Sequence, residues 1–357
     1  MAHQQPFGFS FSGADIDTDK DEGADVIATT TATTSANTNT TPATVAAEPR
    51  VHALEELLSS IPSRISYTTP ATQTAKGNTV RIPRRELFDI RMQLMAEDDD
   101  DDNDENSAFL ASLGDDDIKT NVYEGGLKSW ECSVDLVSIL ADDRELWESG
   151  EEGLRVMELG CGTALPTLYL FQQALLRHIK APRFSIADYN VDVLRLVTVP
   201  NLFLSWAMIT STSPDLWPAE DDLEITPDLL QRFTADLDAR RIAVDIVSGA
   251  WGPRFVELVP AKPHLVLASE TIYSPASLPT FTQTLVEVVD RHGNHVPRAL
   301  VAAKMVYFGV GGGVYEFLRL LKDQYKHVGE ERYVFDTSEA AEKSGGVARV
   351  VLELPLC

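Results

Sequence analysis

Arg155-Val-Met-Glu-Leu-Gly160-Cys-Gly162-Thr-Ala164 opens as a strand, turns on two glycines and leads into an apolar helical pattern from about Leu165 to Arg177. Glycine at Gly160 and Gly162 lets the backbone turn tightly and come close to a ligand, while the helix start offers unpaired N–H groups. Downstream, Phe184–Ala187 reads as a second strand and Val191–Met208 as a helix bent near Pro200. Ala243–Val247, His264–Ala268 and Ala299–Val306 follow as strands, with helices at Leu278–Asp290 and Val314–Lys322. Tyr325–Phe335 and Ala348–Leu354 read as the last two strands. Alternation of this kind predicts right-handed βαβ units, hence an α/β, Rossmann-like, seven-stranded and mostly parallel sheet. Thr210–Arg241 is an acidic, Pro-containing insert to which the pattern assigns no element, and no internal repeat is present.

The second strand carries the next signal. Asp188 stands at its end, 28 positions after Gly160, in Ala187-Asp188-Tyr189-Asn190. Strand, glycine turn, helix, strand and carboxylate in that order suit a cofactor with a ribose, whose hydroxyls a carboxylate accepts. The turn lacks the Gly-Lys-Ser/Thr of a phosphate-binding loop. NAD and S-adenosylmethionine both fit so far; Glu158-x-Gly160-x-Gly162 leans toward the second. Glu158 itself either fixes the loop or reaches the ligand.

Composition narrows the class. Of 357 residues, 44% are hydrophobic, enough for a packed core, and 55 acidic against 30 basic side chains give a net charge of −25. Such acidity argues against direct nucleic-acid binding and favours basic protein partners. Three scattered cysteines give neither a disulfide framework nor a Cys-rich zinc site, and no metal is expected. No apolar run approaches the roughly 18 residues of a spanning helix, and no secretory signal is visible. A soluble monomer in the cytoplasm is expected, with nuclear entry left open by the weak basic cluster Arg81-Ile-Pro-Arg84-Arg85.

The charge also suggests two parts. Residues 1–117 hold 22 acidic and 8 basic side chains, a net of −14. Ala28–Ala47 is almost wholly small and polar, and Glu97–Glu105 carries eight carboxylates in nine positions, so neither stretch offsets its ordering entropy by burial. Residues 1–116 are therefore expected to be mostly disordered, with short helices near 51–95, and residues 117–357 to form the folded domain.

Five motifs stand in order: Val122-Tyr-Glu-Gly-Gly-Leu-Lys-Ser-Trp130-Glu131-Cys132-Ser133, Met157-Glu-Leu-Gly-Cys-Gly162, Ala187-Asp-Tyr-Asn190, Leu267-Ala-Ser269-Glu270-Thr-Ile-Tyr273 and Tyr307-Phe-Gly-Val-Gly-Gly-Gly313. Together they closely resemble the protein-histidine methyltransferases of the seven-β-strand, S-adenosylmethionine-dependent class. The resemblance covers about residues 117–357, with weaker echoes in Phe7-Gly-Phe-Ser-Phe11 and Ile61-Pro-Ser-Arg-Ile-Ser-Tyr67. It implies S-adenosylmethionine as cofactor and, as substrate, one histidine of a large ribosomal subunit protein (universal large-subunit protein three), attacked through its tele nitrogen. It further implies that Trp130, Glu131, Cys132 and Ser133 contact the cofactor from above the sheet, and that Gly160, Asp188, Tyr189 and Asn190 bind it; the reading of the glycine turn adds Glu158 and Gly162 as candidates. Ala250 and Trp251 match the adenine end and Ser269 the methionine portion. Ala164 departs from the pattern, where a third glycine is common.

Other readings stand beside these. Trp130 and Trp251 also suit a core, Cys132 and Cys161 read as buried thiols, and His292-Gly-Asn-His295 reads as an ordinary loop rather than a metal pair. Gly309, Gly311, Gly312 and Gly313 are either a plain turn or a substrate-side loop. Because an imidazole is largely neutral at pH 7, the enzyme needs no strong base, only control over which nitrogen is free. Glu270 or Tyr273, at the carboxyl end of the fourth strand, is expected to orient the substrate ring. The alternatives are a lysine methyltransferase of the same fold and a non-catalytic acidic escort of a basic ribosomal protein.

Overall fold

A computed structural model describes residues 47–100, 125–143, 146, 153–259, 263–290, 298–325, 331–344 and 346–355. Residues 28–46, 101–105, Phe7–Phe11, His292, His295 and Cys357, about which the sequence carried readings, lie outside them.

The N-terminal part contributes β1 (Arg50–His52), α1 (Leu54–Leu58), β2 (Arg64–Thr68), β3 (Ala71–Gln73), β4 (Thr79–Arg81), β5 (Arg84–Arg85) and α2 (Leu87–Asp100). After α3 (Glu131–Asp142) come β6 (Arg155–Leu159), α4 (Leu165–Arg177), β7 (Arg183–Asp188) and the continuous helix α5 (Val191–Thr210). β8 (Glu220–Glu224), α6 (Pro227–Arg240), β9 (Ala243–Ser248), α7 (Pro253–Leu258), β10 (Leu265–Ser269) and α8 (Leu278–Asp290) follow. β11 (Arg298–Lys304), α9 (Val314–Gln324), β12 (Arg332–Asp336), α10 (Ser338–Ser344) and β13 (Arg349–Pro355) end the described chain.

The central sheet has the order β1-β9-β7-β6-β10-β11-β13-β12. β9, β7, β6, β10 and β11 are parallel, and β13 runs antiparallel to both β11 and β12. This is the expected Rossmann-like, mostly parallel sheet, with β1 added as an eighth strand. The parallel strands are apolar on both faces because helices cover both. Phe171 of α4 packs edge-on against Phe184 of β7 on one side, and Phe281 of α8 against Phe317 of α9 on the other. Chain direction across the sheet reverses between β6 and β10, and a reversal of this kind leaves a crevice at the carboxyl ends of the strands.

The N-terminal region differs from its expectation. Of the short helices expected near 51–95, the first is shortened to Leu54–Leu58, because β1 occupies the preceding residues and pairs antiparallel with β9, Val51 opposite Val247. Leu57, Leu58, Ile65, Tyr67, Ile90 and Leu94 are buried in the common core, so no packing boundary falls at residue 116. Glu97–Asp100, expected to be unstructured, completes α2, where Glu97 pairs with Arg195 at 2.8 Å. The insert 210–241 also gains a reading: β8 pairs with β2, from Arg64 opposite Glu224 to Thr68 opposite Glu220.

Helix α5 corrects a second expectation. Among the described residues it is long and apolar enough to cross a membrane, yet 78% of its apolar window is buried, which marks a core helix. Leu194–Thr198 forms a π-helical turn just ahead of Pro200. Proline lacks the N–H that would bond the carbonyl of Leu196. The buried Arg85 guanidinium takes that carbonyl instead (3.0 Å), held by Asp89 at 2.5 Å. Arg85 thereby fastens the N-terminal segment to the helix beside the site.

Candidate active site

The glycine turn after β6 sits in the crevice. Gly160 and Gly162 both have positive φ (64° and 50°), and a Cβ on Gly160 would meet Thr271 Cγ2 at 2.7 Å. Only glycine fits there without displacing the Thr271 side chain, just beyond β10. Ala164 also has positive φ (59°), where the resemblance would place a glycine, so its methyl brings strain of roughly 1 kcal/mol at the start of α4. The turn is tied to its neighbours by Asp188, whose Oδ2 accepts from Gly162 N (2.9 Å) and Oδ1 from Asn190 N (3.1 Å). Thr198, in the π turn of α5, donates to the carbonyl of Gly162 (2.6 Å). A π turn at such a place is a common mark of a functional site.

Around this turn a pocket is lined by Trp130, Ser133, Gly160, Gly162, Asp188, Tyr189, Asn190, Trp251, Ser269, Glu270 and Tyr273. Those eleven expected residues are thus brought together. Trp251 stacks obliquely on Phe281 (5.0 Å between centroids) and its buried indole N–H has no partner among the described residues. Trp130 donates its own N–H to the carbonyl of Gly125 (3.0 Å), and Ser133 donates to the carbonyl of Trp130 (2.7 Å), which fixes the entry to α3.

Glu158, Ala250, Glu131 and Cys132 do not line the pocket, whereas Cys161 does. Glu158 is fully buried and its Oε2 accepts from Thr167 N (3.0 Å) inside α4, so it holds the helix rather than reaching a ligand. Burial pushes its carboxyl up to about 8. Ala250 is engaged through its backbone N–H by the carbonyl of Ala47 (2.9 Å). Glu131 faces Lys304 at 3.8 Å. Cys132 and Cys161 are buried thiols pushed well above the ordinary range, first by burial itself, which suits packing and not nucleophilic attack.

Glu270 and Tyr273 line the pocket beyond Ser269. Glu270 follows β10 in the left-handed region (φ 55°), a strained conformation for a side-chain-bearing residue and one that clusters at functional sites. Its Oε2 accepts from the Tyr307 hydroxyl at 2.5 Å, while Oε1 is buried without an N–H or O–H partner among the described residues. Burial is the main cause that raises the Glu270 carboxyl above its usual range, against hydrogen bonds from Cys132 and Tyr307 and the nearby Lys304 cation. Lys304 is itself buried, 5.7 Å from the centre of the Trp130 ring. Tyr273 packs edge-on to Tyr307 (6.2 Å), and its carbonyl accepts from Gly312 N (2.9 Å). The glycines at 309–313 therefore meet the site through Gly312, while Gly309 and Gly311 stand away from it.

Sequence reasoning missed Ala47, whose N–H donates to the Tyr189 hydroxyl (3.3 Å), along with Val193, Lys304 and Tyr307 as parts of the site. Tyr307 lay within a quoted motif; Ala47 had no local signal.

No family model matches the chain. The histidine protein methyltransferase 1 of Saccharomyces cerevisiae is 40% identical over 261 residues, 68% of this chain and 68% of its own. That of Schizosaccharomyces pombe is 38% identical over 270 residues, 74% of each chain. Among solved structures, the glycopeptide N-methyltransferase MtfA aligns over 62% of this chain and 91% of its own, at 12% identity and a TM-score of 0.34, and adds nothing to the topology already described. With two such relatives matched across two thirds of its length, the chain belongs to the histidine protein methyltransferase 1 family.

Proposed function

We propose that the protein is an S-adenosylmethionine-dependent protein-histidine N-methyltransferase acting on the tele nitrogen of a histidine in a large ribosomal subunit protein. The observation that carries the reading is the Asp188 carboxylate, anchored by Gly162 N and Asn190 N at the mouth of a glycine turn, facing Glu270 across the same pocket. The donor's features match what lines the crevice. Asp188 suits ribose hydroxyls, the unpaired indole N–H of Trp251 suits the adenine end, and Ser269 with Ser133 and Trp130 suits the amino-acid end.

When bound, S-adenosylmethionine supplies a methyl group on a sulfonium, which a neutral nitrogen displaces in line. The protein's task is to present one ring nitrogen. Glu270 Oε1, which has no N–H or O–H partner among the described residues, takes the N–H of the acceptor ring and leaves the opposite nitrogen free, while Tyr307 holds Oε2. It also receives that proton once the ring is methylated, a role suited to a carboxyl whose affinity for protons is raised. Tyr273 borders the same space. An acidic surface attracts a basic ribosomal protein, and the reading places the enzyme in the cytoplasm, with entry to the nucleus where subunits are assembled.

The test supplies labelled S-adenosylmethionine and ribosomal proteins from cells lacking the enzyme, then locates label by peptide mass spectrometry. Label on one histidine, lost with Asp188→Ala, is the expected outcome; label on lysine overturns the acceptor. The pH profile gives a second check. A histidine acceptor deprotonates near pH 6.5, so turnover should level off above about pH 7, whereas a lysine acceptor would keep rising beyond pH 8.

A further inference from the structure

The turn between β11 and α9 presents a row of apolar side chains to solvent: Phe308 is 78% exposed, with Val306 and Val310 at 48% and 40%. An exposed phenylalanine on a slack loop would mean little, but this turn is fastened at every level. Val306 bridges to Gly313, and the N–H groups of Val310 and Gly311 both return to the carbonyl of Tyr307. Gly312 N bonds the carbonyl of Tyr273, and a Cβ on Gly312 would lie 2.2 Å from that oxygen. Tyr307, immediately before Phe308, is pinned underneath by Glu270 at 2.5 Å. The apolar row is therefore held rigid, one residue from a side chain bonded to the group that faces the acceptor.

Rigid, exposed aromatics beside a pocket are what binding surfaces use, since little ordering entropy is lost when a partner seats on them. The turn lies on the carboxyl edge of the sheet, the edge from which a protein substrate must present its side chain to Glu270 and Tyr273. We propose that Phe308, flanked by Val306 and Val310, is the docking ledge for the protein substrate, receiving an apolar side chain of that substrate that neighbours the acceptor. The occupant is the substrate segment itself, because the ledge is continuous with the acceptor side of the pocket through Tyr307 and Gly312. The inference rests on the reading that the pocket methylates a protein side chain.

Phe308→Ser and Phe308→Leu test it, using the full-length enzyme, labelled S-adenosylmethionine and the protein that wild type labels. Phe308→Ser should raise KM for the protein about tenfold, while kcat, the thermal midpoint and donor affinity by calorimetry hold. Phe308→Leu, still apolar, should recover most of the loss. Changing the substrate's apolar neighbour to Ser should raise KM for wild type but not for Phe308→Ser, the signature of direct contact. Unchanged KM in Phe308→Ser, or independent effects in the double substitution, overturns the ledge. If wild type labels a residue other than histidine, the acceptor reading fails and the same measurements on that residue still decide the ledge. If wild type labels no protein at all, both fail.

Discussion

Glu158 shows how a residue can belong to a motif without touching what the motif binds. Its carboxyl lies wholly inside the protein, with one oxygen accepting from Thr167 N. Burial raises it from about 4.5 in the unfolded chain to about 8, with the Asp188 charge adding to the effect. Between those values the folded state holds a proton the unfolded state has released. Stability therefore falls as pH rises from about 5 to 8, by a few kcal/mol in all. Glu158→Gln keeps the acceptor and removes the ionisation, so its thermal midpoint should change much less with pH and exceed wild type at pH 8.5. Parallel melting curves for the two proteins would refute this account.

At the scale of elements, the glycine-rich turn after β11 separates space from conformation. Gly309 has φ 77° and open surroundings, so Gly309→Ala meets only backbone strain of about 1 kcal/mol. Gly312 has no room for a Cβ against the Tyr273 carbonyl. Gly312→Ala should cut turnover by at least about a hundredfold by moving Tyr273 and the turn, while Gly309→Ala stays within about threefold, in steady-state assays of both. What the sequence disclosed about elements follows the same division between local and distant causes. β6, β7, β9, β10 and β11 were legible because each is an apolar run with its turn chemistry beside it. β2 and β8 were not: Arg-Ile-Ser-Tyr-Thr and Glu-Asp-Asp-Leu-Glu, 156 residues apart, become strands only through each other. In the site, Asp188 and Gly160 announced themselves by spacing. Lys304, the Tyr307–Glu270 bond and Ala47 did not, because each matters through a partner brought near by the whole fold.

Across the whole molecule, the first fifty described residues act as a clamp. β1 closes the β9 edge, His52 meets Ser248 at 2.7 Å, and Leu57 and Leu58 fill the core. Removing residues 1–46 leaves these contacts in place and should shift the thermal midpoint by no more than about 2 °C. Removing residues 1–60 deletes β1 and α1. Burial of two leucines alone contributes about 3–6 kcal/mol, so the midpoint should drop by at least about 5 °C. Donor affinity should fall with it, since Ala47 bonds both Tyr189 and Ala250. Equal melting of the two truncated proteins in calorimetry would show the clamp to be dispensable.

The pairing of β1 with β9 also sets a timetable. The chain leaves the ribosome from its N-terminus, so His52 emerges 194 residues before Ile246, its partner in the sheet. At about 5–20 residues per second that is a wait of roughly 10–40 s. Throughout it, β1 lacks the strand it pairs with. The segment that finishes the fold in space is thus the first made in time, and its fate during synthesis depends on what shields it until β9 arrives.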